Sequence, residues 1–209
     1  MTIPLLSFWL IPIESERLLL QSLINQMAQR YQSSTFCPHL TLFSTPITAL
    51  NDPLRSASSF FSPSEDRSTR LWDHHLDPIL NQCPPVSLNA TSVQWGQTFA
   101  KTVFIQLETT LTLQRLIQHL QQSVLQSTQE SVDPAPIGGS LGQTIDPHVS
   151  LIYQQMDDIT KAAIAQSTMW DQRRLSFSEL QIVQAPAQFE TQEDVKTLRC
   201  IYRHPLNNT

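Results

Sequence analysis

Pro38-His39-Leu40-Thr41-Leu42 returns late in the chain as Pro147-His148-Val149-Ser150-Leu151, with proline, histidine, an aliphatic residue, a hydroxyl residue and leucine in the same order. A repeated unit constrains architecture more than a single motif does, and here the flanks repeat as well. Leu20, Leu23, Ile24, Met27 and Tyr31 have the spacing of one buried helical stripe, and Leu113, Leu116, Ile117, Leu120 and Val124 repeat it. An apolar, strand-like run precedes each stripe, at 6–11 and at 102–107. Each half therefore reads strand, amphipathic helix, then histidine strand.

Further elements are expected around this repeat. A weak helix is predicted at 48–60 and a clearer one at 157–170. A strand at 86–93 closes the first half, and strands at 177–183 and 197–202 belong to the second. The stretch 62–85, rich in Ser, Pro and charge, reads as a surface insertion. The long approach to His148, spanning 133–146, holds Gly138, Gly139 and Gly142, yet it lacks the G-K-[ST] ending of a phosphate-binding loop and reads as a connector or lid. The expected fold class is α/β (α+β), one bilobal domain over residues 1–209. Two duplicated strand-helix-strand lobes, at about 1–95 and 96–209, are related by a pseudo-twofold, and mainly antiparallel sheets line a central cleft.

Alternation along a strand places His39 and Thr41 on one face, and His148 and Ser150 likewise. Each lobe thus offers one imidazole and one hydroxyl to a shared groove. Opening a cyclic phosphodiester needs a water deprotonated on one side of phosphorus and a leaving alkoxide protonated on the other. Imidazole, with an unperturbed pKa near 6.5, can begin either as neutral base or as protonated acid. Thr41 and Ser150 are placed to donate hydrogen bonds to the non-bridging oxygens. The acid and base roles are left open between the two histidines, and neither a metal nor another cofactor is expected.

Composition narrows the partners. The chain has 209 residues, a hydrophobic fraction of 40%, a charged fraction of 15% and a formal net charge of −5, which fits a folded globular chain. That charge argues against extended nucleic acid, whose binding depends on many Lys and Arg contacts to phosphate. A small cyclic phosphate or nucleotide remains a fitting ligand. The apolar stretch 4–13 is too short to cross a bilayer and contains Pro12, so no membrane partner, a cytoplasmic location and a monomer are expected. Cys37, Cys83 and Cys200 show no metal-type spacing and read as reduced thiols. Cys37, two residues before His39, either approaches the site or is a buried bystander.

At the paired motifs the chain resembles the two-histidine phosphoesterase superfamily, and most closely its cyclic phosphodiesterases known from plants. Ser7-Phe8-Trp9-Leu10-Ile11-Pro12, Pro38-His39-Leu40-Thr41 and Pro147-His148-Val149-Ser150-Leu151-Ile152-Tyr153 carry the resemblance, with Gly96, Phe99 and Val103-Phe104 also in pattern. It implies a bilobal fold and hydrolysis of nucleoside 2′,3′-cyclic phosphates or of ADP-ribose 1″,2″-cyclic phosphate. It also implies that the Tyr153 hydroxyl helps to position phosphate or water. Trp9 and Phe99 either wall a base or sugar pocket or pack in the core. The stretch 62–85 and the long loop before His148 depart from the plant pattern, as does the lack of a counterpart to the plant enzymes' disulfide cysteines. Two rival functions are an RNA-end phosphodiesterase of the 2′-5′ ligase-like branch and a catalytically idle nucleotide-binding module.

Three lesser signals remain. Asp73-His74-His75-Leu76-Asp77 has metal-capable side chains but reads as a solvated turn. Arg173-Arg174 reads as an exposed turn. Lys101 begins the strand of the second repeat, either near the phosphate or plainly on the surface.

Overall fold

A computed structural model describes residues 3–46, 76–126 and 145–207. In chain order the elements are β1 (Leu5–Pro12), α1 (Glu14–Tyr31), β2 (Leu40–Pro46), α2 (Asp77–Leu80), β3 (Val86–Trp95), β4 (Val103–Leu107), α3 (Leu111–Gln126), β5 (His148–Ile152), α4 (Asp158–Ser167), β6 (Arg174–Ala185), α5 (Gln192–Thr197) and β7 (Arg199–Pro205), with a 3₁₀ turn at Phe99–Lys101 before β4. The fold is mixed α/β. Its seven strands form one sheet in the order β1-β2-β5-β4-β3-β6-β7. Every pairing is antiparallel, and a further β1–β6 pairing closes six strands into a ring.

The duplicated units are present. β1, α1 and β2 correspond to β4, α3 and β5, and in both units the first strand pairs with the histidine strand. The helical stripes face the core as the spacing requires. Leu20, Ile24 and Met27 of α1 are buried, and so are Leu113, Leu116, Ile117, Leu120 and Val124 of α3. These side chains join Leu6, Phe8 and Leu10 of β1 in the main apolar cluster. On the opposite face of β1, Trp9 and Ile11 form a small second cluster with Val183, so strand alternation separates a helix-covered face from a face left for other work.

Strand membership differs from chain order. β3, expected to close the first half, pairs with β4 and β6. β6, expected in the second half, pairs with β1 over residues 177–185 and with β7 over 179–184. The reason is the length of β6: its first residues, 174–177, meet β3 while 177–185 meet β1, so one long strand serves both halves.

Of the stretch 62–85, residues 62–75 lie outside the described residues, as do the helix expected at 48–60, His74, His75 and the part of the long loop from 133 to 144. The described remainder has exposed residues, Pro78, Asn81, Gln82 and Pro84, but it is anchored in the core. Leu76 and Leu80 are fully buried, and Asp77 accepts a hydrogen bond from the Tyr202 hydroxyl while His204 stands 3.5 Å from it. Apolar residues four apart on a short helix explain the burial. The helix expected at 157–170 is α4, capped by Asp157, whose carboxylate accepts from the Thr160 N–H at 2.9 Å. No helix among the described residues is long and apolar enough to cross a membrane.

Candidate active site

β2 and β5 meet at a single register pair, Leu40 with Val149. These are the central residues of the two repeated motifs, so antiparallel pairing brings His39 alongside Ser150 and Thr41 alongside His148, all on one face. The repeat is thereby interlaced: each imidazole neighbours the other motif's hydroxyl.

His39 lies one residue ahead of β2, and only 5% of its surface is exposed. The Trp9 ring stacks on it with centroids 3.5 Å apart and planes 9° from parallel. Trp9 is itself held by an indole N–H bond to Ser7 Oγ at 2.7 Å. Phe36 meets His39 edge-on. His39 Nδ1 donates to the Cys37 carbonyl at 2.7 Å. A carbonyl accepts only, so Nδ1 carries the ring proton and Nε2 presents a lone pair. The Tyr153 hydroxyl donates to that lone pair at 3.2 Å. Burial pushes the His39 pKa down to about 4, opposed by the Cys37 bond and assisted by the charge of nearby His148. The ring is therefore neutral at pH 7, with a basic nitrogen facing the second motif.

His148 opens β5 and repeats the same backbone device. Its Nδ1 donates to the carbonyl two residues upstream, that of Asp146, at 2.8 Å. The Phe104 ring stands edge-on to it at 5.2 Å, and Phe104 pairs with Ser150 as Trp9 pairs with Thr41. His148 is more open than His39. Its pKa is also lowered by burial and by the Lys101 charge, while the Asp146 carbonyl and carboxylate oppose the shift.

The hydroxyl partners are not equivalent. Thr41 is exposed and engages no described group by its side chain. Ser150 is buried, and its Oγ donates to the Ala100 carbonyl at 2.6 Å, so the proton expected to serve a phosphate is already committed to the 3₁₀ turn. Burial drives the Tyr153 phenol well above its ordinary pKa, so the phenol keeps its proton. Its ring stacks on Phe36 at 3.7 Å and meets Phe189 edge-on at 5.5 Å.

The remaining expectations divide. Trp9 both shields His39 and lines a cavity of about 620 Å³ together with Phe36, Cys37, Arg17 and Arg203. Phe99 is a core residue, buried in the main cluster behind Tyr153 and Phe189, because its 3₁₀ turn faces inward. Lys101 pairs with the Asp146 carboxylate and sits over the Phe104 ring, which places it behind His148. Cys37 reaches the site through its carbonyl, while burial raises its thiol pKa. The cysteines are free thiols, and Arg174 is exposed at the start of β6.

Site residues that the sequence did not single out are Phe36, Asp146, Phe189 and Gln192, while Phe104 enters only through the resemblance. Asp146 has a signal that could have found it, since it stands two before His148 as Cys37 stands two before His39, and both positions supply the carbonyl. Gln192 has a signal too: Thr191 and Asp194 form a capping box at the start of α5.

The model of the family described as "Cyclic phosphodiesterase-like protein" matches residues 4–200. The chain belongs to the cyclic phosphodiesterase-like family. This family stands within the two-histidine phosphoesterases, and solved structures repeat the fold. TT0787 of Thermus thermophilus aligns with a TM-score of 0.52 at 13% identity, over 97% of each chain. LigT of E. coli complexed with 3′-AMP aligns at 0.50 and 11% identity over 100% of both chains, and LigT complexed with ATP at 0.50 and 12%, also over 100% of both. At such identities the likeness is one of fold. Comparison with curated proteins found no match. Family membership supports a phosphodiesterase-type activity for this cyclic phosphodiesterase-like chain.

Proposed function

We propose that this protein is a metal-independent cyclic phosphodiesterase that hydrolyses nucleoside 2′,3′-cyclic phosphates or ADP-ribose 1″,2″-cyclic phosphate, with His39 as base and His148 as acid. The observation that carries this reading is the matched tautomer of the two rings. Each Nδ1–H is held by the carbonyl two residues upstream, which leaves both Nε2 atoms for proton transfer.

The assignment of roles follows from burial. His39, neutral well below pH 7, takes a proton from water as the water oxygen bonds to phosphorus. His148, the more open ring, delivers its Nε2 proton to the alkoxide as the cyclic P–O bond breaks, yielding a phosphomonoester. An anionic substrate beside both rings favours their protonated forms and so raises the pKa of the acid. For water to reach the His39 lone pair, the Tyr153 O–H turns from Nε2 to a phosphate oxygen. Thr41, whose hydroxyl is exposed, donates to the non-bridging oxygen as charge builds there. Both proton transfers are supplied by imidazole, so neither step calls for a metal ion. The small nucleotides 3′-AMP and ATP, held by LigT in the same fold, are of the size this reading requires.

The experiment is a product assay by phosphorus NMR in EDTA over a panel of cyclic phosphates, including one terminating an oligonucleotide. Turnover of the small substrates, with a bell-shaped pH dependence, is expected. Full activity in His39→Ala or His148→Ala sinks the proposal, and a preference for the oligonucleotide transfers it to the RNA-end branch.

A further inference from the structure

Gln192 is the first residue of α5 and is half-buried. Its side chain bonds two backbone groups that flank the two histidine motifs. Oε1 accepts from the Ser34 N–H at 2.6 Å, and Nε2 donates to the Tyr153 carbonyl at 2.6 Å. The orientation of the amide is unambiguous, because a backbone N–H only donates and a backbone carbonyl only accepts. Ser34 Oγ also reaches the Gln192 carbonyl at 3.4 Å.

These bonds complete a circuit. From Ser34 the chain runs to Cys37, whose carbonyl holds His39 Nδ1. His39 Nε2 accepts from the Tyr153 hydroxyl, the Tyr153 carbonyl accepts from Gln192, and Gln192 returns to Ser34. Two segments far apart in sequence, 34–39 and 153, are thus joined twice, by the Gln192 amide at one end and by the Tyr153 to His39 bond at the other. Phe189, three residues before Gln192, meets the Tyr153 ring edge-on, so the same segment also covers the phenol from behind.

We propose that Gln192 is a positioning residue, which holds the Tyr153 hydroxyl on Nε2 of His39 and keeps water from that ring until substrate draws the hydroxyl away. Gln192 touches neither ring, so its influence passes through the Ser34 to Cys37 segment and the Tyr153 backbone. The inference uses the proposed role of His39, but its decisive measurement does not depend on turnover. The groups facing His39 are the Tyr153 phenol and the His148 ring from β5 and its flank, Cys37 from its own segment, and the uncharged rings of Trp9 and Phe36.

The test uses the full chain in two variants. Gln192→Met keeps the length and loses both bonds. Gln192→Glu keeps the acceptor for Ser34 but sets a carboxylate oxygen against the Tyr153 carbonyl. The His39 titration is read by NMR of the ring, alongside thermal unfolding and steady-state kinetics. In both variants the His39 pKa is expected to rise from about 4 toward the ordinary 6.5, because the ring gains water and loses the bond to its neutral form. kcat is expected to fall by about 10- to 100-fold, the scale of a misplacement outside the chemistry, while KM changes little. A lower melting temperature with an unmoved His39 titration in either folded variant overturns the proposal. A shifted titration in a chain with no cyclic phosphodiesterase activity upholds the positioning role and removes the activity reading alone.

Discussion

The Trp9 indole lies flat on the His39 imidazole, 3.5 Å between ring centres, on the face of β1 opposite the main core. The stack keeps water from one face of His39, and that withdrawal lowers its proton affinity against the attraction an indole face has for a cation. Trp9 is thus part of the reason His39 stays neutral and keeps its lone pair. Trp9→Ala is expected to raise the His39 pKa from about 4 toward 6.5 and to cost about 3 to 5 kcal/mol of stability, as removal of a buried aromatic does. NMR titration and urea unfolding measure the two effects on one sample.

Acid stability follows with a definite sign. Unfolded, His39 binds its proton near pH 6.5, and folded, near 4. Between these values the unfolded state holds more protons, so stability falls as pH drops from 6.5 to 4 and is fully retained above that window. The contribution is about 3 kcal/mol, from roughly 1.4 kcal/mol per pKa unit. Urea unfolding across this range is expected to show a flatter pH dependence for His39→Gln than for the unmodified chain. Parallel curves contradict the burial argument.

Thr41 and Ser150 occupy equivalent motif positions and are expected to fail differently. Thr41→Ala removes an exposed donor, so kcat is expected to fall about 10²- to 10³-fold, the cost of one such donor, with melting temperature unchanged. Ser150→Ala strands the Ala100 carbonyl, which Ser150 reaches at 2.6 Å, and is expected to destabilise by about 1 to 3 kcal/mol. Calorimetry beside kinetics separates the two, and equal behaviour in both assays refutes the distinction.

Lys101 opposes the proton on His148, whose pKa its charge lowers. Lys101→Gln is expected to raise that pKa, and with His148 as acid the alkaline limb of the kcat/KM profile moves to higher pH. The pair with Asp146 is partly exposed, so the shift is expected to shrink as salt is raised. An alkaline limb moving the other way contradicts the assignment of His148 as acid.

Gly96 is required by space. A Cβ there would stand 2.6 Å from the Lys101 carbonyl oxygen, so Gly96→Ala must displace the 3₁₀ turn that holds Lys101 and receives the Ser150 bond. A loss of stability exceeding that of Ser150→Ala is expected on thermal unfolding, and a neutral effect rules out the close approach.

Much of the fold is legible in the sequence because its signals are local. The stripes of α1 and α3 can be read from spacing, since a helix that covers a core must repeat apolar residues at its own period. The strands β3 and β6 can be located but not paired, because an apolar run carries no record of its neighbour. α5 escapes a reading by periodicity: with no apolar stripe of its own beyond Val195, only its capping residues announce it. Phe99 and Trp9 have equal claims on core and pocket, and contacts made far along the chain send Phe99 inward and Trp9 onto His39.

The linear chain determined that there are two imidazoles, one per repeat, each followed at the same spacing by a hydroxyl. Tertiary structure decided what each of them is. Leu40 meeting Val149 interlaced the motifs, Trp9, Phe36 and Tyr153 closed over one ring only, and Ser150 gave its proton to a neighbouring turn. Proton affinity depends on how far a group is withdrawn from water and on which charges stand nearby, and those surroundings come from residues that only folding brings together.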